Sequence, residues 1–230
     1  MRILIWAALL TFSTVIAGAQ SNTARSSDAG AVTLPADVNS VTYSRFPPLN
    51  REDMKEGARK FYDEDPPSPG GTTPFLQRGP QHMYLYSPAL ASTMARVTNS
   101  LKDQGVLGNR LSEIAILVTA RELSHQFLWS AHEPLAPKYG VERTIIDTIK
   151  YNKDVSGLGE KETVIIQYGR QLLREKKITP DLFAKSVELF GRQGVVELTA
   201  IMGNYVAVGM MLDAADQQQP PSRPALLPKP

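Results

Sequence analysis

The segment 194–215 constrains this chain more than any other. Val195, Val196, Leu198, Ile201, Met202, Val206, Val208, Met210 and Met211 cover most of the circumference of a helix drawn through it. A helix that is apolar on nearly every side is stable only when other elements enclose it, in a core or at an interface between copies. A membrane span is the rival reading of such a run. Glu197 and Asn204 interrupt it, and polar or ionisable groups in a bilayer core are costly.

The rest of the chain supplies enclosing helices. Ser87-Pro88 and Thr179-Pro180 each join a capping residue to a proline at the first helical position. Leu90, Met94, Val97 and Leu101 then recur on one helical face, as do Phe183, Val187 and Phe190. Asn109 or Ser112 can cap the next helix. Its Ile114, Ile116, Leu117 and Val118 leave little polar surface and place it centrally. A helix is expected over 124–138, stopping near Gly140, with Pro134 and Pro137 able to end it early. Ile145, Ile146 and Ile149 mark a shorter helix, and Val164, Ile165, Tyr168 and Leu172 another. The charged amphipathic stretch 53–63 runs into Pro66-Pro67-Ser68-Pro69-Gly70-Gly71, a loop. The alternation Met83-Tyr84-Leu85-Tyr86 is too short to imply a sheet, so the fold class is all-α.

The two ends differ from the middle. Met1 and Arg2, the uncharged run 3–17 and the small-x-small Ala17-Gly18-Ala19 have the form of a signal peptide over 1–19, cleaved before Gln20. The run is shorter than the roughly 20 residues a span needs. The expectation is an exported protein, periplasmic or secreted, with no membrane attachment after cleavage. Residues 20–42 read as a flexible lead-in and 43–216 as the helical domain. The tail 217–230, with Pro220, Pro221, Pro224, Pro228 and Pro230, reads as disordered.

Totals exclude several chemistries. Lys and Arg number 25 against 23 Asp and Glu, a net charge of +2, which is no footprint for nucleic acid. The chain has no cysteine, which removes disulfides, thiolate metal sites, thiol nucleophiles and thiol redox chemistry together.

Candidate chemistry centres on histidine, whose ordinary pKa suits proton transfer near neutrality. Only His82, His125 and His132 exist. On one helix His125 and His132 share a face with Leu128 and Trp129 between them, while Gln126 and Glu133 add polar groups beside that stripe. It reads either as a ligand pocket or as structural histidines on an amphipathic helix. The two imidazoles stand about 10 Å apart along such a helix, too far to share one metal ion, and no metal site is expected. Glu113, Glu122 and Glu197 lie in apolar segments, where a carboxylate is paired or functional.

The run Arg110-Leu111-Ser112-Glu113-Ile114-Ala115-Ile116-Leu117, then Arg121-Glu122, then Gln126-Phe127-Leu128-Trp129-Ser130-Ala131-His132-Glu133-Pro134, resembles the core motif of the carboxymuconolactone decarboxylase family, in the alkylhydroperoxidase D-like superfamily. Gly79-Pro80 with Leu85-Tyr86-Ser87-Pro88 is similar to the lead into the first core helix of larger members, and Val195-Val196-Glu197-Leu198 with Asn204-Tyr205 to the last. The resemblance implies an alkylhydroperoxidase D-like helical bundle, a homo-oligomer (trimer or hexamer), and cofactor-free acid–base chemistry on a small organic acid or lactone. Glu113 and His132 stand at the family's relay positions, which makes them the implied catalytic pair. His125, Gln126, Trp129, Glu133 and Glu197 are the implied substrate contacts. The two cysteines of the family's thiol peroxidases are replaced by His125 and Leu128, so peroxidase activity is disfavoured. Leu128 also stands where cysteine-free members often carry a glutamate. A non-catalytic small-molecule binding or scaffold protein of the same fold is the alternative. On one straight helix Glu113 and His132 would lie about 28 Å apart. The relay therefore requires a chain break between them, for which Ser124 is the candidate, or a residue from another subunit.

Overall fold

A computed structural model describes residues 33–63, 79–221, 223 and 225–228. The expected signal peptide, residues 20–32 of the lead-in and the loop 66–71 lie outside them. The described residues contain α-helices and no strand: α1 (Glu56–Asp63), α2 (Gly79–Leu85), α3 (Pro88–Asn99), α4 (Gly108–Glu122), α5 (Gln126–His132), α6 (Arg143–Lys150), α7 (Glu160–Arg170) and α8 (Pro180–Ala214).

Helix α4 is the centre. Every residue from Ser112 to Ala120 is buried, and α5, α6, α7 and α8 pack around it. Burying side chains such as Ile114, Ile116 and Leu117 completely is worth about 1.5–3 kcal/mol each. This helix starts without a side-chain cap. Gly108, with φ +68°, makes the turn into it, and Asn109 and Ser112, the expected caps, lie inside. Close approach of α4, α7 and α8 depends on Gly169, where a Cβ would meet Val118 Cγ1 at 2.4 Å.

Thr179-Pro180 does open α8, but the helix is interrupted at Gly191, where φ 70° and ψ 171° are non-helical. Beyond the break, Leu198, Ile201, Met202 and Leu212 are buried, whereas Val196 and Met210 are 67% and 66% exposed. By length and composition alone α8 could cross a membrane, yet half of its most apolar window is buried inside the protein.

Between α4 and α5 the chain reverses. Ser124 takes φ 52°, and His125 is extended. The expected single helix over 124–138 is thus a short helix ending at His132, a 3-10 turn at Ala136–Tyr139, and a left-handed Gly140. Pro134 and Pro137 lie where the helix fails.

The expected disordered tail is a correction. Its described residues pack on the domain: Gln218 N–H donates to Tyr43 O at 2.7 Å, and Leu227 is buried in the main core. The end of the lead-in is likewise fixed, with Val38 and Thr42 buried. Proline density described the absence of helix correctly. It did not register that Gln217, Gln218 and Gln219 supply the hydrogen bonds that proline cannot make.

Candidate active site

The reversal at Ser124 folds α5 back beside α4. His132 Nδ1 and Glu113 Oε1 thereby come to 2.6 Å within one chain. Glu113 has no exposed side-chain surface, and its second oxygen accepts a hydrogen bond from Lys102 Nζ at 3.2 Å. Lys102 is carried by a π-turn (Ser100–Gln104) that continues α3, and its ammonium sits 4.9 Å from the Tyr139 ring centre. The His132 ring meets Tyr205 of α8 edge-on, with centroids 5.1 Å apart.

Electrostatics fixes the protonation pattern. Burial pushes the Glu113 carboxyl up, but the hydrogen bond and charge of His132 and the charge of Lys102 outweigh it and hold the carboxyl below its usual range. An ionised carboxylate only accepts hydrogen bonds. His132 Nδ1 therefore carries the proton, and Nε2 is left as the nitrogen that can exchange a proton with a ligand. Burial, with the nearby Glu113 charge, pushes the Tyr205 phenol well above its ordinary range. Tyr205 thus stays a neutral hydroxyl.

His132 opens on a cavity of about 570 Å³ between α2, α3, α5 and α8. That size falls in the ordinary range for small-molecule sites. Helix α5 and the turn after it contribute Phe127, Leu128, Ala131, His132 and Leu135, which form one helical face. Thr98 of α3 and Asn204 and Tyr205 of α8 also line it. Asn204 Nδ2 donates to Thr98 Oγ1 at 3.2 Å, and the buried Asn204 Oδ1 has no partner in the protein. Among the described residues, no group of three metal-ligating side chains assembles.

The remaining sequence candidates lie elsewhere. His125 is not on the cavity. It caps α5, its Nδ1 accepting from Leu128 N–H at 3.4 Å, while Nε2 faces Gly209 O and Asp213 Oδ1, each at 3.3 Å. Trp129 is wholly buried on the other side of α5 and donates to Glu133 Oε2 at 2.5 Å. Glu133 is further held by Lys150 at 3.1 Å and Arg143 at 3.0 Å, so its oxygens are satisfied by the protein. Gln126 binds the tail backbone. Glu197 accepts from Val106 N–H at 2.7 Å and from Gln193, tying α8 to the turn before α4. Glu122 pairs with Arg174.

Lys102, Thr98 and Arg223 were not anticipated at the site. Lys102 is an ordinary charge at the end of an amphipathic helix, and only the fold brings it 3.2 Å from Glu113. Asn204 did leave a signal, as an amide in the middle of an apolar helix.

Comparison with known proteins bears on the fold. A solved structure of an uncharacterized peroxidase-related protein from Ralstonia eutropha JMP134, described as an alkylhydroperoxidase AhpD core, superposes with a TM-score of 0.61. The match covers 77% of this chain and 93% of that one, at 13% identity. The chain has the AhpD core fold. No protein-family model matches the sequence, and no curated protein matches it significantly. Within this chain, the reversal at Ser124 is what sets a carboxylate on the central helix against a histidine on the next. Thiol chemistry on this bundle would need a thiolate, and this chain has no cysteine.

Proposed function

We propose that this protein is an exported, cofactor-free acid–base enzyme of the carboxymuconolactone decarboxylase type, acting on a small organic acid or lactone in the His132 cavity. One observation carries the reading: a histidine lining the cavity has its far nitrogen bonded at 2.6 Å to a wholly buried carboxylate. Such a carboxylate suits a general base, because it fixes the base's tautomer and stabilises the imidazolium it becomes.

In this scheme Nε2 of neutral His132 takes the proton of the substrate's carboxylic acid group, and Glu113 holds the resulting positive charge. In a decarboxylation the carbon–carbon bond to the carboxylate breaks and carbon dioxide leaves. The electron pair passes into an enolate, and the imidazolium Nε2–H returns a proton to carbon. The imidazolium opposes the enolate charge in a site of low polarity, where such stabilisation is strongest. Tyr205 and Asn204 supply neutral hydrogen-bonding groups in the same cavity. A homo-oligomer, trimer or hexamer, completes the reading. The exposed Val196 and Met210 on α8 suit a face covered by a second copy, which sedimentation would test.

The functional test is NMR in deuterated buffer with a panel of unsaturated lactones and keto acids. Deuterium incorporation or carbon dioxide loss is expected from the wild type and is abolished in His132→Ala and Glu113→Gln. Turnover unchanged in both variants removes the mechanism. Ligand-induced shifts of His132 without exchange or product would assign the cavity to binding alone.

A further inference from the structure

Two tyrosines distant in sequence line the His132 cavity, Tyr84 on α2 and Tyr205 on α8. Only 9% of Tyr84 and 8% of Tyr205 is exposed. A phenol so enclosed ordinarily finds a hydrogen-bond partner. Tyr168 follows that rule, its hydroxyl pairing with Thr199 Oγ1 at 2.8 Å. Tyr84 and Tyr205 do not. Among the described residues neither hydroxyl has a partner, and neither oxygen is sealed from solvent as Asn204 Oδ1 is. The cavity is the space that both residues line, so both O–H groups open on it.

The two phenols hold their protons. Burial pushes both up, and a charge on Tyr84 would push Tyr205 further. Both therefore remain hydrogen-bond donors near neutral pH. The wall around them offers these donors little to bind: Ala91, Met94, Leu128 and Val208 are apolar, and no aspartate or glutamate is among the described lining residues. Two O–H groups without an acceptor, in surroundings of low polarity, match a ligand oxygen that carries negative charge. The Tyr205 ring packs edge-on against the His132 ring, with centroids 5.1 Å apart, so the base and this donor serve one ligand.

We propose that Tyr84 and Tyr205 form the oxyanion cradle of the His132 cavity, donating their hydroxyls to a ligand oxygen that becomes negative during the reaction. Its substrates are accordingly acids in which a carbonyl lies β to the departing carboxylate or is conjugated with it. The electron pair released as the carbon–carbon bond breaks and carbon dioxide leaves then comes to rest on that carbonyl oxygen, and the His132 Nε2–H proton goes to carbon. This rests on the reading that the cavity is the substrate site, and it narrows that reading to keto and vinylogous acids over simple carboxylic acids.

The test uses 4-nitrophenolate as the mimic of an enolate oxygen and 4-nitrotoluene as the same shape without it. Each is titrated into the full-length protein in mildly alkaline buffer while the His132 imidazole is followed by NMR. The phenolate is expected to shift His132 and to bind at least tenfold more tightly than 4-nitrotoluene. Tyr205→Phe and Tyr84→Phe should each lose about 10- to 100-fold in phenolate affinity, the range for a hydrogen bond to a charged group, with 4-nitrotoluene affinity unchanged. Circular dichroism matching the wild type controls for folding in both variants. Phenolate affinity unchanged in either variant, with His132 still shifting, overturns the cradle and leaves the cavity reading standing. A wild type that does not prefer the phenolate does the same. If neither probe moves His132, the cavity reading fails and the cradle falls with it.

Discussion

Replacing His132 by phenylalanine isolates the charge on Glu113. The new ring keeps most of the volume against Tyr205, so lost packing contributes little. What changes is that a carboxylate with no exposed surface loses its 2.6 Å partner and keeps only Lys102 at 3.2 Å. With His132 neutral, the lost contact is a hydrogen bond to a charged group, worth about 1.5–3 kcal/mol. With Lys102 still in place, about 2 kcal/mol is expected. For a domain of this size that lowers the melting temperature by about 4–8 °C at pH 7, measured by circular dichroism. Adding Glu113→Gln to His132→Phe removes the stranded charge and should restore most of the loss, a coupling that packing alone does not produce. The pH dependence has a definite sign. The Glu113 carboxyl is held below its usual range in the folded wild type, so its contribution is complete above the unfolded value, about 4.3, and is lost as pH falls through the folded value. In His132→Phe the burial penalty stands against Lys102 alone, and that penalty disappears once the carboxyl is protonated. The gap between the two proteins therefore narrows in acid. A variant melting within 2 °C of the wild type at pH 7 would refute the claim that His132 holds this charge.

Three further outcomes are expected. Gly191→Ala should destabilise by about 1–3 kcal/mol in urea titrations, because φ 70° with ψ 171° is a region open essentially to glycine alone. No neighbouring atom lies within 4 Å of an added Cβ there, so the cost is one of backbone alone. Gly169→Ala should cost about 1–3 kcal/mol for the opposite reason: its Cβ would overlap Val118 between packed helices, and urea titration combined with Val118→Ala should show partial relief. Leu227→Ala should lower stability by about 2–5 kcal/mol, the range for a buried leucine, whereas a disordered tail would leave the urea midpoint unmoved.

Much of the bundle was legible because its signals are local. The proline starts of α3 and α8 and the apolar girth of α4 lie within single turns of sequence. Of the candidate site, only the contact of one pair was legible. Glu113 and His132 were marked by family resemblance and brought together by the turn, but the supposed stripe from His125 to His132 does not exist. Helical spacing was counted from His125, but its own backbone is extended (φ −88°, ψ 98°), so it caps the helix and turns away from the cavity. Trp129 then follows the core face, and Phe127 and Ala131 take the cavity face in its place. Glutamines among prolines carry no periodic signal. Their hydrogen bonds to Thr42, Tyr43 and Ser130 depend on partners about 90–175 positions away, which no local pattern records.

The backbone of residues 43–45 is joined to residues 215–218 by Arg45 N–H to Ala215 O and Gln218 N–H to Tyr43 O. Contacts of such sequence separation are slow to form, because a long loop must close before they contribute. During synthesis, α4 and α5 emerge and can bring Glu113 and His132 together while α8 and the tail have yet to be made. The cavity is therefore finished last, and a nascent chain holds the Glu113–His132 contact before the α8 wall that encloses it.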